Sequence, residues 1–175
     1  MAFRACSVHD ARTSPALKKN LSFLLCLFLA LLLPLSGHAA DNDADAVLTS
    51  AEDLFTSMRQ GDYPRIWACL SLKSQDTIVH DICKAMSSGS CSEKAIADDF
   101  AKGEALSRAY WDAYLKNFDP AMVLEESRWE MGSLTGDRAS ITLTFKKARK
   151  PATLRLFREG GLWKVGLTES FWSRK

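Results

Sequence analysis

The sequence predicts an α+β domain, with three or four N-terminal helices packed on a curved four-stranded antiparallel sheet. Three observations carry that expectation. Apolar residues recur at intervals of three and four as far as Phe118, the spacing changes to alternation after Asp119-Pro120, and glycine- and proline-bearing turns cut the alternating half into short pieces. Helices first and a strand meander after them is the arrangement in which helices cover one face of a sheet.

The chain of 175 residues begins with Arg4, Arg12, Lys18 and Lys19. An apolar run over 21–35 follows, interrupted only by Ser22 and Pro34, and then the small residues Ser36, Gly37, Ala39 and Ala40 around His38. This is the basic, apolar, small-residue order of a secretory signal, and the run is shorter than the ~20 residues that span a bilayer as a helix. The expectation is a signal peptide over 1–39, cleaved after Ala39, with an uncleaved membrane anchor as the alternative. Residues 40–175 are then one domain, exported and periplasmic or secreted.

Within that domain, 41–45 is an acidic start that suits a helix N-terminus. Val47, Ala51, Leu54, Phe55 and Met58 give the first helix one apolar face, and Gly61 ends it. Asp62 caps a short second helix with Pro64 in its first turn and Ile66, Trp67, Cys69 and Leu70 inward. Ser74 offers the next cap, ahead of Ile78, Val79, Ile82 and Met86. Ser90 and Glu93 have capping-box spacing and open a long helix to Phe118, striped by Ile96, Phe100, Leu106, Tyr110, Tyr114 and Phe118. Gly103 in its middle marks close packing or a bend.

Four strands follow. Val123, Ser127, Trp129 and Met131 share a face of the first, and Ile141, Leu143 and Phe145 of the second. Leu154 and Leu156 oppose Thr153, Arg155 and Phe157 in the third. In the fourth, Trp163, Val165, Leu167 and Phe171 alternate with Lys164, Gly166, Thr168 and Trp172. Turns are expected over 132–137, 147–151 and 159–161. The meander has one apolar face and one polar, partly basic face.

The formal charge of +2 hides a split. Residues 1–39 hold four Lys or Arg and one Asp, so the remainder carries 19 basic against 20 acidic residues. From Arg138 onward ten basic residues face only Glu159 and Glu169, whereas 40–137 holds nine basic and eighteen acidic. A basic half attracts anionic surfaces or acidic partners; the two halves can also merely balance. The sharpest basic feature is the 146–150 turn, suited to anionic lipid headgroups, a polyanion or an acidic protein surface, and equally to a solvated turn. An exported location argues against nucleic acid.

Cys69, Cys83 and Cys91 remain in a compartment that permits disulfides. The segment between Cys83 and Cys91 is short and rich in Ser and Gly, so these two are expected to pair, leaving Cys69 as a buried thiol in a helix. His80 has no companion set for a metal, and neither a metal nor another cofactor is expected. No nucleophile elbow, phosphate loop or dinucleotide fingerprint occurs. Asp112 with Tyr110, and Asp76 with His80, have the spacing of acid and base pairs, which is equally the spacing of solvated helix pairs.

Two stretches carry a family resemblance. Met58-Arg59-Gln60-Gly61-Asp62-Tyr63 is a helix, Gly-Asp-Tyr turn and second helix. Arg138-Ala139-Ser140-Ile141-Thr142-Leu143-Thr144, with Leu154-Arg155-Leu156-Phe157-Arg158-Glu159-Gly160-Gly161-Leu162-Trp163-Lys164-Val165, forms a terminal hairpin. In these the chain resembles the nuclear transport factor 2-like superfamily, and within it small exported bacterial domains that pair three helices with a four-stranded sheet. The resemblance implies a cone with a cavity between sheet and long helix, where many members hold small apolar molecules, some catalyse, and many pair through the outer sheet face.

On this chain the implied cavity draws on Trp67, Tyr110, Tyr114, Trp129 and Phe145, unless these aromatics simply fill the core. The implied interaction surface is Arg155, Phe157, Lys164 and Trp172. The expected function is a non-catalytic cell-envelope domain that binds a small apolar ligand or an envelope protein, with homodimerisation through the outer sheet as a further option. Membrane contact would come only through an uncleaved signal or the basic turn. The alternative is an enzyme of the same fold using a carboxylate or tyrosine in the cavity; Glu125 and Glu169 are the inward acids the strands offer.

Overall fold

The computed structural model describes residues 37–86, 91–147 and 150–172, with side chains from residue 42 onward. Two compact units divide the chain, Met1–His38 and Ala39–Lys175. The signal segment expected over 1–39 lies almost wholly outside the described residues, as do Ser90, Ala148 and Arg149. No described helix is long and apolar enough to cross a membrane.

The described chain is α+β. Six helices, α1 (Gly37–Gln60), α2 (Tyr63–Cys69), α3 (Leu72–Ala85), α4 (Glu93–Lys102), α5 (Ala105–Leu115) and α6 (Pro120–Glu126), precede β1 (Ser127–Thr135), β2 (Arg138–Phe145), β3 (Ala152–Glu159) and β4 (Leu162–Gly166). A short α7 (Leu167–Phe171) follows. The helical half is thus more divided than the three or four helices expected, and one helix lies beyond the sheet.

Local chemistry explains most of these boundaries. The φ of +68° at Gly61 ends α1. Asp62 Oδ1 accepts from the Arg65 backbone N–H and starts α2, with Pro64 in its first turn. The cap of α3 is Ser71, whose Oγ accepts from the Ser74 N–H, so Ser74 lies inside the helix instead of starting it. Ser92, accepting from Ala95 N–H, caps α4. The acidic 41–45 stretch lies within α1.

The long helix expected from Glu93 to Phe118 is two helices. Gly103, at φ +69°, closes α4 in the left-handed conformation, and a Cβ there would stand 2.7 Å from Pro64 Cδ. Asp99 then bridges the break, its carboxylate accepting from the backbone N–H groups of Leu106 and Ser107 at 3.2 and 2.7 Å. The restart of helical phase brings Trp111 to full burial while Tyr110 and Tyr114 stay half-buried.

The sheet is antiparallel throughout, in the order β1-β2-β3-β4. Ile141 opposes Leu154, and Leu156 lies between Ala139 and Val165, so these side chains share the face that packs on the helices. Two expected strand ends move. Val123 belongs to α6, with β1 starting at Ser127, and β4 stops at Gly166, so Leu167 and Phe171 sit in α7. The turns are tight: Gly136 with Asp137, and Gly160 with Gly161, the latter two at φ +57° and +80°, as a two-residue hairpin requires.

Beyond Gly166, Ser170 replaces the missing strand partner: its Oγ accepts from Arg155 N–H at 2.8 Å and donates to Gly166 O at 2.5 Å. The β4 edge is covered by Leu70, bridged to Val165, with Ser71 N–H donating to Val165 O at 2.9 Å. The core between layers is built from Leu54, Phe55, Ile66, Phe100, Trp111, Ile141, Leu154, Leu156 and Leu167, all fully buried. Burial of this kind contributes roughly 1.5–3 kcal/mol per large side chain.

Candidate functional site

A cleft of about 220 Å³ opens at the end of the sheet where β2 leaves and β3 begins. Its walls are Phe55 from α1, Phe118 before α6, Met122 and Val123 from α6, and Phe171 from α7. Its floor is Leu143 and Phe145 of β2 with Ala152 of β3. Among the described residues, Ser127 and Lys150 are the only polar side chains that line it. The cleft is therefore an apolar pocket with one cation at its rim, the composition of sites that hold small molecules by burial and orient them by a few polar groups.

Of the five aromatics assigned to a cavity, Phe145 lines this cleft. The other four belong to a continuous run of ring contacts that ends at its wall. Trp67 meets Phe100 at 4.8 Å between centroids, Phe100 meets Tyr110 at 5.4 Å, and Tyr110 meets Trp111 at 5.0 Å. Trp111 meets Tyr114 at 5.7 Å, Tyr114 meets Phe118 at 5.4 Å, and Phe118 meets Phe55 at 6.0 Å. Trp129 lies edge-on to Phe55 at 5.7 Å, its Nε1 donating to Val123 O. Trp67 and Tyr110 thus sit in the core around Phe100, whereas Tyr114 and Trp129 stand directly behind the cleft wall.

Sequence reasoning missed Phe118, Met122, Val123, Leu143, Lys150 and Phe171 as cleft residues, because they come from five segments with no shared local pattern. The one available signal was the approach of apolar Phe145 to the basic turn.

The candidate acids, bases and thiols lie elsewhere. Burial pushes the Tyr114 phenol up to about 12 and Tyr110 higher still, with Tyr114 and Asp81 adding to the latter. Asp112 pairs with Tyr63, not Tyr110: Tyr63 Oη donates to Asp112 Oδ1 at 2.5 Å, which raises the Tyr63 value. His80 Nδ1 stands 3.8 Å from Glu93 Oε1 on the surface. Glu125 is an exposed ion-pair partner of Arg59 at 3.2 Å. Cys83 and Cys91 form a disulfide with Cα atoms 5.5 Å apart, and Cys69 is a free, half-buried thiol. Burial raises its pKa, with Arg65 and Lys164 partly opposing, so it is a weak nucleophile at neutral pH. Among the described residues no group of three or more potential ligands could hold a metal.

Glu169 is the best-held carboxylate. Its Oε1 accepts from Ser71 Oγ at 2.9 Å, and its Oε2 from Ser74 Oγ at 2.5 Å and Thr168 Oγ1 at 2.9 Å. Burial pushes its pKa up, but the bonds from Ser74, its own backbone N–H, Ser71 and Thr168 outweigh that and hold it below the ordinary value. With every oxygen engaged by hydroxyls, it joins α7 to α3 instead of facing the cleft.

Of the four residues assigned to an interaction surface, Arg155, Phe157 and Lys164 share the outer face of the β3–β4 pair. Arg155 is exposed on the outer side of β3, and Phe157 is half-buried between Arg138 and Lys164 in register. Lys164 turns toward the end of α2, its Nζ donating to Ala68 O at 2.6 Å, a favourable place for a cation. Trp172 lies past α7 in a groove with Lys73, Thr77, Arg155, Thr168 and Glu169.

No protein-family model, curated protein or solved structure matches the chain. The site has to be interpreted from its own chemistry.

Proposed function

We propose that this protein is a non-catalytic binding domain of the cell envelope, of the nuclear transport factor 2-like cone type, which holds a small apolar ligand between its sheet and helices. The observation that carries the reading is the 220 Å³ cleft, walled by phenyl and aliphatic side chains from both layers. Its position at one end of the helix-facing side of the sheet is where a cone of this kind opens. The basic, apolar, small-residue order of 1–39 supports export, and the Cys83–Cys91 disulfide suits an oxidising compartment.

A binder is favoured over an enzyme because an enzyme of this fold needs an ionisable group with a shifted pKa inside its cavity. The shifted phenols Tyr110 and Tyr114 are packed among rings, and no carboxylate of the described residues lines the cleft. A protein partner on the outer sheet is the second reading. Arg138 and Arg155 on that face favour an acidic partner over a second copy, since two-fold stacking sets like charges against each other.

Native mass spectrometry of the protein purified gently from the exported fraction tests both. A small mass lost on denaturation supports the cleft binder. A clean dimer without ligand overturns it in favour of an interaction module, and absence of the protein from the exported fraction overturns the envelope assignment.

A further inference from the structure

We propose that the cleft takes a single-chain anionic amphiphile, its tail among Phe55, Phe118, Leu143 and Phe171 and its carboxylate at Lys150. This rests on the binding reading above and adds the ligand's charge and size. The first argument is charge. Among the described residues Lys150 is the one charged side chain lining the cleft, and it has no ion-pair partner there. Phe145, on the floor, is followed directly by exposed Lys146 and Lys147. Lys150, at the end of the basic stretch singled out in the sequence, therefore borders an apolar hole. A neutral ligand leaves these cations unused, and a cationic one is repelled by them.

The second argument is size and access. An apolar cavity of ~150 Å³ takes up benzene, so about 220 Å³ corresponds to roughly nine carbon atoms. That suits one medium-length chain and is too small for a double-tailed lipid. Met122 and Phe171 line the cleft yet remain 40% and 39% exposed, so an apolar tail meets apolar side chains from the mouth inward. Displacing water from these surfaces supplies the affinity, and the rim cation supplies the orientation.

Isothermal titration of the exported protein with nonanoate, 1-nonanol and nonyltrimethylammonium, three probes with one tail, tests the inference. Nonanoate is expected to bind at least about fivefold tighter than 1-nonanol, the scale of an exposed ion pair, with the ammonium weakest. The preference should shrink as salt is raised. Lys150→Glu should turn the preference against nonanoate and toward the ammonium, with an unchanged circular dichroism spectrum and melting temperature showing that the variant is folded.

Equal binding of all three probes, insensitive to Lys150→Glu, overturns the anionic ligand while leaving an apolar binder in place. No binding of any probe overturns both readings. Binding seen only to phosphatidylglycerol vesicles, and to none of the free probes, replaces the cleft ligand with a membrane surface.

Discussion

Ser74 and Glu169 stand 95 positions apart in the chain and meet at 2.5 Å, the Ser74 hydroxyl donating to Glu169 Oε2. Ser74 also accepts from the Thr168 backbone N–H at 3.1 Å. A fully buried serine thus ties the last helix to the third. Ser74→Ala leaves the Thr168 N–H and one carboxylate oxygen without this partner, and should cost about 1–3 kcal/mol in chemical denaturation. An unchanged midpoint would show that the contact is incidental.

The same carboxylate sets an acid limit. Its folded-state pKa lies below the unfolded value, so its contribution is complete above the ordinary glutamate value of 4.5 and fades as pH falls through the lower folded value. Melting temperature measured from pH 7 to about 3 should fall more steeply in the native sequence than in Glu169→Gln, which cannot titrate there. Parallel curves would remove Glu169 from the account.

At high pH the tyrosines take over. All three have phenol values above the ordinary 10.0: Tyr63 through its bond to Asp112, and Tyr110 and Tyr114 through burial, the last reaching about 12. Raised values mean that folding keeps the phenols neutral, a contribution present below pH 10 and lost as pH rises through the folded values. Phenolate absorbance should show no tyrosine ionising at its ordinary value before the alkaline unfolding transition. A full tyrosine equivalent titrating at pH 10 in the folded protein contradicts this packing.

The Cys83–Cys91 ring is small, and closing it is worth roughly 2–3 kcal/mol in the chain-entropy account. Cys83→Ser with Cys91→Ser should lower the denaturation midpoint by that amount. Thiol counting on the denatured, non-reduced protein lacking residues 1–39 should find one free group, from Cys69.

Gly103 and Gly136 both have positive φ, but only Gly103 is crowded, by Pro64. Gly103→Ala should therefore destabilise more than Gly136→Ala, which meets nothing within 4 Å and should cost about 1 kcal/mol. Equal costs would mean that Pro64 yields.

The first helix was legible because Val47, Ala51, Leu54 and Met58 recur at a spacing that only a helix uses, and the paired strands because Ile141, Leu143, Leu154 and Leu156 alternate between clear glycine turns. The end of β4 was not. Leu167 and Phe171 are four apart, a step that satisfies both the strand period of two and the helix period near four, and Ser170, whose side chain decides the matter, pairs with a residue fifteen positions away. At Gly103 the sequence signals close packing or a bend, but the full break depends on Asp99 capping the next helix from across it. The cleft was least legible: Phe55, Phe118, Leu143 and Phe171 converge only in three dimensions. Sequence periodicity reports which side of an element is apolar, not which apolar sides fail to fill the space between them.

The two margins of the sheet are finished differently. The β4 margin is closed by Leu70, Ser71 and α7, whereas among the described residues no strand lies outside β1. Any strand added by another chain would have to add there, and β1 is a poor template. Its register breaks between Met131 and Leu134, and its outer side presents the Arg128–Glu130 ion pair. A bent, charged margin of this kind discourages fibrous growth, so the protection of this sheet against edge-to-edge association rests in a single strand.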